Sequence, residues 1–191
     1  GGDAFEHGVL VAELGLEEHD TIVVALRNSP AHLYSTFAAW KLGASVLPLR
    51  WDLPLWERSR LLGVATPRVV VASWDDPEPG TVTPDVVRAS TDRPADPPAV
   101  DHVAQYTRLV ATSGSTGSPK IVAIASPTVM ADEFNVSAVL GTQSGKTYLT
   151  TSPLYHVNGW TYCYNPLLQD CGVVLMERFD AARTLQLIER H

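Results

Sequence analysis

Residues 112–120 read Thr-Ser-Gly-Ser-Thr-Gly-Ser-Pro-Lys, a run whose residue types could hold an anion. Gripping a polyphosphate needs backbone N–H groups close to oxygen, and so needs positions without a Cβ. Gly114 and Gly117 supply that freedom. The hydroxyls of Thr112, Ser113, Ser115 and Thr116 can donate to phosphate oxygens. Lys120 adds a compact positive charge, and Pro119 stiffens the exit. On composition alone, a flexible Gly/Ser turn between two strands fits as well. Two details oppose it. Apolar strands flank the run on both sides. Its length also exceeds the roughly two to five residues that a simple hairpin needs.

A second cluster, Ser-Pro-Leu-Tyr-His-Val-Asn-Gly-Trp, spans 152–160. A lone histidine is more often structural than catalytic. His156 is less ordinary, because it comes after a strand and precedes Asn158-Gly159. Trp160, Tyr162 and Tyr164 could shape a pocket, although core packing suits at least two of them better. A third run, Gly-Thr-Gln-Ser-Gly-Lys-Thr at 141–147, imitates a nucleotide-triphosphatase loop. That motif needs Gly where Leu140 stands, and a helix after the loop. Tyr-Leu-Thr-Thr-Ser reads instead as a strand, so a solvated turn with an exposed Lys146 is expected. Cys163 and Cys171 match no zinc spacing and no disulfide framework; two buried thiols in a reducing cytoplasm are expected.

Positioning these clusters calls for a sheet. The 191 residues are 45% hydrophobic and 18% charged, which is globular composition. A net charge of −7, with Lys and Arg scattered, leaves no basic stripe for nucleic acid. No apolar run approaches membrane-spanning length, and the start, Gly-Gly-Asp-Ala-Phe, shows no signal-peptide pattern and suggests a processed N-terminus. Strand-like runs fall at 21–26, 45–49, 68–73 and 106–113, then after the loop at Lys-Ile-Val-Ala-Ile-Ala-Ser, at Thr-Tyr-Leu-Thr-Thr-Ser and at Gly-Val-Val-Leu-Met-Glu.

Helical patterns separate the strands. One starts at Pro30 with Asn28 or Ser29 as its cap, carries Leu33, Phe37 and Trp40 at helical spacing, and stops at Gly43. A second has Pro54 near its start and ends at Gly63. A third begins at Ser126-Pro127, shows Met130, Phe134 and Ala138 on one face, and stops at Gly141. Asp180 caps the last. Strands spaced by helices predict an α/β fold: mostly parallel sheet layers with flanking helices. Residues 1–73 form a first β/α segment, 74–104 a Pro/Asp-rich surface excursion or linker, and 105–191 the segment with the loop.

The loop carries a resemblance. Thr112–Lys120 is similar to the signature of the adenylate-forming superfamily, Ser/Thr-Ser/Thr/Gly-Gly-Ser/Thr-Thr-Gly-x-Pro-Lys, and meets every position; Ile121 replaces the usual glycine after the lysine. The stretch from Leu14 to Glu57 resembles the family's first conserved block, 152–160 resembles the motif next after the loop, and 177–191 resembles the strand and helix beyond that motif. The resemblance runs from about residue 10 to the end. It implies part of the N-terminal core of an acyl-CoA synthetase-like fold, a partial AMP-binding domain over 1–191.

In such enzymes a carboxylate attacks the α-phosphate of ATP, and a thiol, usually of coenzyme A, then displaces AMP. The resemblance assigns ATP phosphates to Thr112, Ser113, Gly114, Ser115, Thr116, Gly117 and Lys120, and Mg2+ to Thr116. It assigns the acyl pocket to Tyr155, His156, Asn158, Gly159 and Trp160, and catalytic parts to Lys120 and His156. Amino-acid-activating members usually place an aspartate near His156; histidine here implies a carboxylate with no α-amino group. The family's Tyr-Gly-x-Thr-Glu and Thr-Gly-Asp blocks and its C-terminal lysine domain do not occur in these residues. The expectation is therefore an N-terminal piece of an acid–CoA ligase, inactive or weak alone, with self-association through the apolar surface left by the missing C-terminal part. The alternative is a non-catalytic module of the same fold that binds a nucleotide or a partner.

Overall fold

The computed structural model describes residues 14–77, 79–89, 102–112, 119–124 and 141–191. The chain divides into two compact units, Gly1–Leu26 with Pro30–Pro127, and Arg27–Ser29 with Thr128–His191.

In the first unit, β1 (Thr21–Ala25), β2 (Ser45–Pro48) and β3 (Val69–Ala72) form a parallel sheet in the order β2-β1-β3. Helix α1 (Pro30–Lys41) connects β1 to β2, and α2 (Leu55–Ala65) connects β2 to β3. β1 and β2 are apolar at nearly every position because parallel strands between covering layers bury both faces. Val23, Ala25 and Leu47 share one core with Leu61 of α2, Trp74, and Leu109 of β4 (Arg108–Thr112). Ile121 of β5 (Lys120–Ile124) packs against the same core. A core held in common ties the strands beside the candidate loop to the parallel sheet.

Several expectations change here. Leu33, Phe37 and Trp40 do fall on one helix, α1, where all three are half-buried. The fully buried face of α1 is Ala31, His32, Ser35, Thr36, Ala38 and Ala39, small side chains apart from the His32 imidazole, and it packs on β1 and β2. Phe37 and Trp40 stand edge to face at 5.4 Å, and the Trp40 indole donates to the Thr107 carbonyl over 2.7 Å. Helix α2 runs past Gly63 to Ala65 and ends on Thr66, which takes the left-handed conformation at φ 41°. Gly43 does close α1: its φ of +74° and the Glu18 side chain, 2.7 Å from where a Cβ would sit, both disfavour a larger residue.

The stretch after β3 is not simply a linker. Trp74, Val82 and Val87 are buried, Val82 bridges to Val71, and a short helix α3 covers Pro84–Ala89. Arg58, 2% exposed, clasps this turn. It donates to the Asp76 carbonyl, pairs with the Asp76 carboxylate at 2.9 Å and lies 4.6 Å over the Trp74 ring. The helix expected from Ser126 lies outside the described residues up to Gly141.

In the second unit, β6 (Thr147–Thr150) and β7 (Gly172–Leu175) pair in parallel with α4 (Val157–Leu168) between them in sequence. Helix α5 (Ala181–Arg190) comes last, and Asp180 caps it as expected, accepting from the Arg183 N–H over 2.7 Å. α4 is not among the helices expected from the sequence, and it carries Gly159 and Pro166 within it. The pairings among the described strands are mostly parallel, with β4–β5 the antiparallel exception.

Candidate functional site

The loop at 112–120 hangs from an antiparallel pair. Register places Thr112, the last residue of β4, directly opposite Lys120, the first of β5. Opposed residues of such a pair lie about 5 Å apart. The Thr112 hydroxyl donates across to the Lys120 carbonyl at 3.4 Å, and both residues are exposed. The run thus joins two antiparallel strands over more residues than a minimal hairpin needs, with the backbones of Thr112 and Lys120 held opposite each other. The shared core through Leu109 and Ile121 fixes that mouth. Ser113, Gly114, Ser115, Thr116 and Gly117 lie outside the described residues, and the magnesium assignment to Thr116 lies there with them. Among the described residues, no group of three or more His, Cys, Asp or Glu side chains could hold a metal ion.

The second cluster lies in the second unit, where the segment after β6 runs into the first turn of α4. His156 is the N-cap residue of α4, with φ −84° and ψ 151°; its side chain does not cap the helix. Its ring is exposed and rests against the Tyr155 ring at 4.4 Å, tilted by 39°. Asn158 is exposed as well. Gly159 faces the other way. A Cβ there would stand 2.1 Å from the Pro153 carbonyl oxygen and 2.7 Å from that of Ser152. The first turn of α4 therefore rests directly on the backbone of 152–153.

Trp160 and Tyr164 stack at 4.3 Å inside the unit, while Tyr162 is 47% exposed. Two of the three aromatics thus pack the interior. Cys163 is buried beside them; burial pushes its thiol up to about 12, against a hydrogen bond with Thr150 that lowers it. Cys171 is buried and free too, so both thiols are structural in placement. The 141–147 run is the turn expected: Lys146 is exposed, and β6 rather than a helix comes after it.

Sequence reasoning misses one residue of this site. Asn28 has the type and place of a cap for α1, but its amide is committed elsewhere, to the backbone of 152–154 and to Met176. Spacing along the chain carries no signal for contacts more than a hundred residues away.

The model of the family described as AMP-binding enzyme matches residues 8–191. The chain is 29% identical to an indoleacetate–CoA ligase of Aromatoleum aromaticum, over 85% of this chain and 36% of that one. It is 27% identical to a 2-succinylbenzoate–CoA ligase of Bacillus licheniformis, over 92% of this chain and 38% of that one. The chain therefore spans little more than a third of these relatives' length. Its fold superposes on the inhibitor-bound N-terminal domain of FACL13 from Mycobacterium tuberculosis with a TM-score of 0.84, at 22% identity, covering 98% of this chain and 51% of that one. Against O-succinylbenzoate coenzyme A synthetase (MenE) from Bacillus subtilis, in complex with ATP and magnesium ion, the TM-score is 0.80 at 20% identity, covering 99% and 53%.

Proposed function

The chain belongs to the AMP-binding enzyme family, and from that membership we propose that it is the triphosphate-gripping part of an acid–CoA ligase. The observation that carries the proposal is the register that sets Thr112 opposite Lys120, at the two ends of the Gly/Ser/Thr run. Backbone N–H groups and hydroxyls of 113–117 would hold the β- and γ-phosphates, and the Lys120 ammonium would neutralise them. Mg2+ travelling with ATP would share that charge, with Thr116 as its contact on this chain. A carboxylate oxygen attacks the α-phosphorus, the α–β bridging bond breaks, and pyrophosphate leaves with the electron pair. A coenzyme A thiolate then attacks the acyl carbon and expels AMP. The protein's contribution is position and charge.

His156, exposed beside Tyr155, is the proposed contact for the carboxylate, with Asn158, Gly159 and Trp160 in the same segment. A histidine there suits an acid without an α-amino group, in keeping with relatives named for indoleacetate and 2-succinylbenzoate. Among the described residues no helix is long and apolar enough to cross a membrane. Two unpaired buried thiols support a reducing cytoplasm as the setting.

Calorimetry with Mg·ATP tests the grip. Lys120→Ala is expected to weaken binding about tenfold or more, while Lys146→Ala leaves it unchanged. Loss on Lys146→Ala alone, or no heat from the unsubstituted protein, would sink the assignment. The same preparation is expected to give no ATP–pyrophosphate exchange, because the adenine, ribose and lysine motifs do not occur in these residues.

A further inference from the structure

Helix α4 starts from a segment, 152–156, that presents His156 and is not itself regular structure. Two groups grip its backbone. Gly159 touches it from the helix side. The second is Asn28, 5% exposed. Its Nδ2 donates to the Ser152 carbonyl at 2.9 Å and to the Met176 carbonyl at 2.8 Å. Its Oδ1 accepts from the Leu154 N–H at 2.8 Å. Leu154 is buried, 1% exposed.

The arrangement is specific to a carboxamide. Both amide hydrogens and the amide oxygen are used, so an acceptor-only carboxylate cannot replace it and a hydroxyl cannot span it. Its place is also particular. The last rung between β6 and β7 is the Met176 N–H bond to the Thr150 carbonyl at 3.0 Å. Past that rung Asn28 links the two backbones, bonded to Ser152 after β6 and to Met176 after β7. Without it the buried Met176 carbonyl and Leu154 N–H, and the part-buried Ser152 carbonyl, would lose this mate.

The geometry assigns Asn28 as the positioning residue for the 152–156 segment, and through it for the Tyr155–His156 pair. Its bearing on a carboxylate substrate rests on the ligase reading; its bearing on geometry does not, and the test reads geometry. In the unsubstituted 191-residue protein, both side-chain amide protons of Asn28 are expected to exchange slowly with solvent by NMR. Exchange at the rate of a free carboxamide overturns the assignment with no variant needed.

In Asn28→Ala, the Leu154 amide is expected to exchange about tenfold faster or more, and the His156 ring resonances to lose the shift imposed by the Tyr155 ring. Amides of α5 are expected to stay as they were, which uniform destabilisation would not allow. In Asn28→Asp, which keeps an acceptor, Leu154 is expected to remain protected while the carbonyl carbons of Ser152 and Met176 shift. Unmoved His156 signals with Leu154 exchange within about threefold of the parent in folded Asn28→Ala, or unmoved Ser152 and Met176 carbonyls in Asn28→Asp, refute the role. An ATP-binding failure in the calorimetric experiment would leave all of these readouts standing.

Discussion

His32 shows what burial does to one side chain. It sits on the inner face of α1 with no solvent exposure, and burial, with a smaller contribution from the Arg108 charge, lowers its pKa to about 3. The folded protein therefore keeps this imidazole neutral where an unfolded chain, near 6.5, would protonate it. Below that value the unfolded state binds the extra proton, so stability falls as pH drops from about 6.5 toward about 3. Urea unfolding at pH 7 and pH 5 should show about 2 kcal/mol lost from the first unit on this account. His32→Gln should lack that increment; an equal loss in the variant would show that other groups carry it. The identity of His32 is plain in the sequence, but its inward direction is not. Leu33, Phe37 and Trp40 make a more apolar row, and the helix instead turns its small residues to the sheet. Close approach over a wide contact outweighs the bulk of any single side chain, and Trp40 keeps its N–H bonded at the edge.

At the scale of elements, two helical glycines make opposite cases. Gly159 in α4 has carbonyl oxygens of 152–153 inside the space a methyl group would need. Gly63 in α2 has nothing within 4 Å of that space. Gly159→Ala is expected to destabilise the second unit by about 1–3 kcal/mol, because backbone must move rather than a flexible side chain. Gly63→Ala should stabilise the first unit by about 0.5–1 kcal/mol. Denaturant unfolding of the two variants checks both signs, and a neutral Gly159→Ala would mean that α4 does not rest where it is described. Gly159 and Pro166 hide α4 in the sequence, yet a signal is present. Trp160, Cys163 and Tyr164 are spaced at helical intervals and belong to the buried face. The end of α2 differs from its expected place for a related reason. Gly63 has the type of a helix stop, but the left-handed residue that ends the helix is Thr66.

Over the whole molecule, exposed apolar side chains set the expectation of self-association. Phe179, Leu185 and Ile188, each more than 60% exposed, cluster before and along α5, where Leu187 is the buried residue. Sedimentation over a range of concentrations is expected to show reversible association, which Leu185→Glu with Ile188→Glu abolishes; a monomer at every concentration counts against it. The sequence by itself determined the α/β class, through β-branched runs alternating with helical spacing, and the family, through the nine-residue loop signature. Both are local properties, carried by residues adjacent along the chain. Tertiary structure alone decided which groups meet. Thr112 and Lys120 face each other because β4 and β5 pair antiparallel, and the amide of Asn28 seats the His156 segment from a distance of 124 to 148 residues along the chain. A hydrogen bond is satisfied by proximity in space, and the pattern of types along a chain does not state which distant backbone group will supply it.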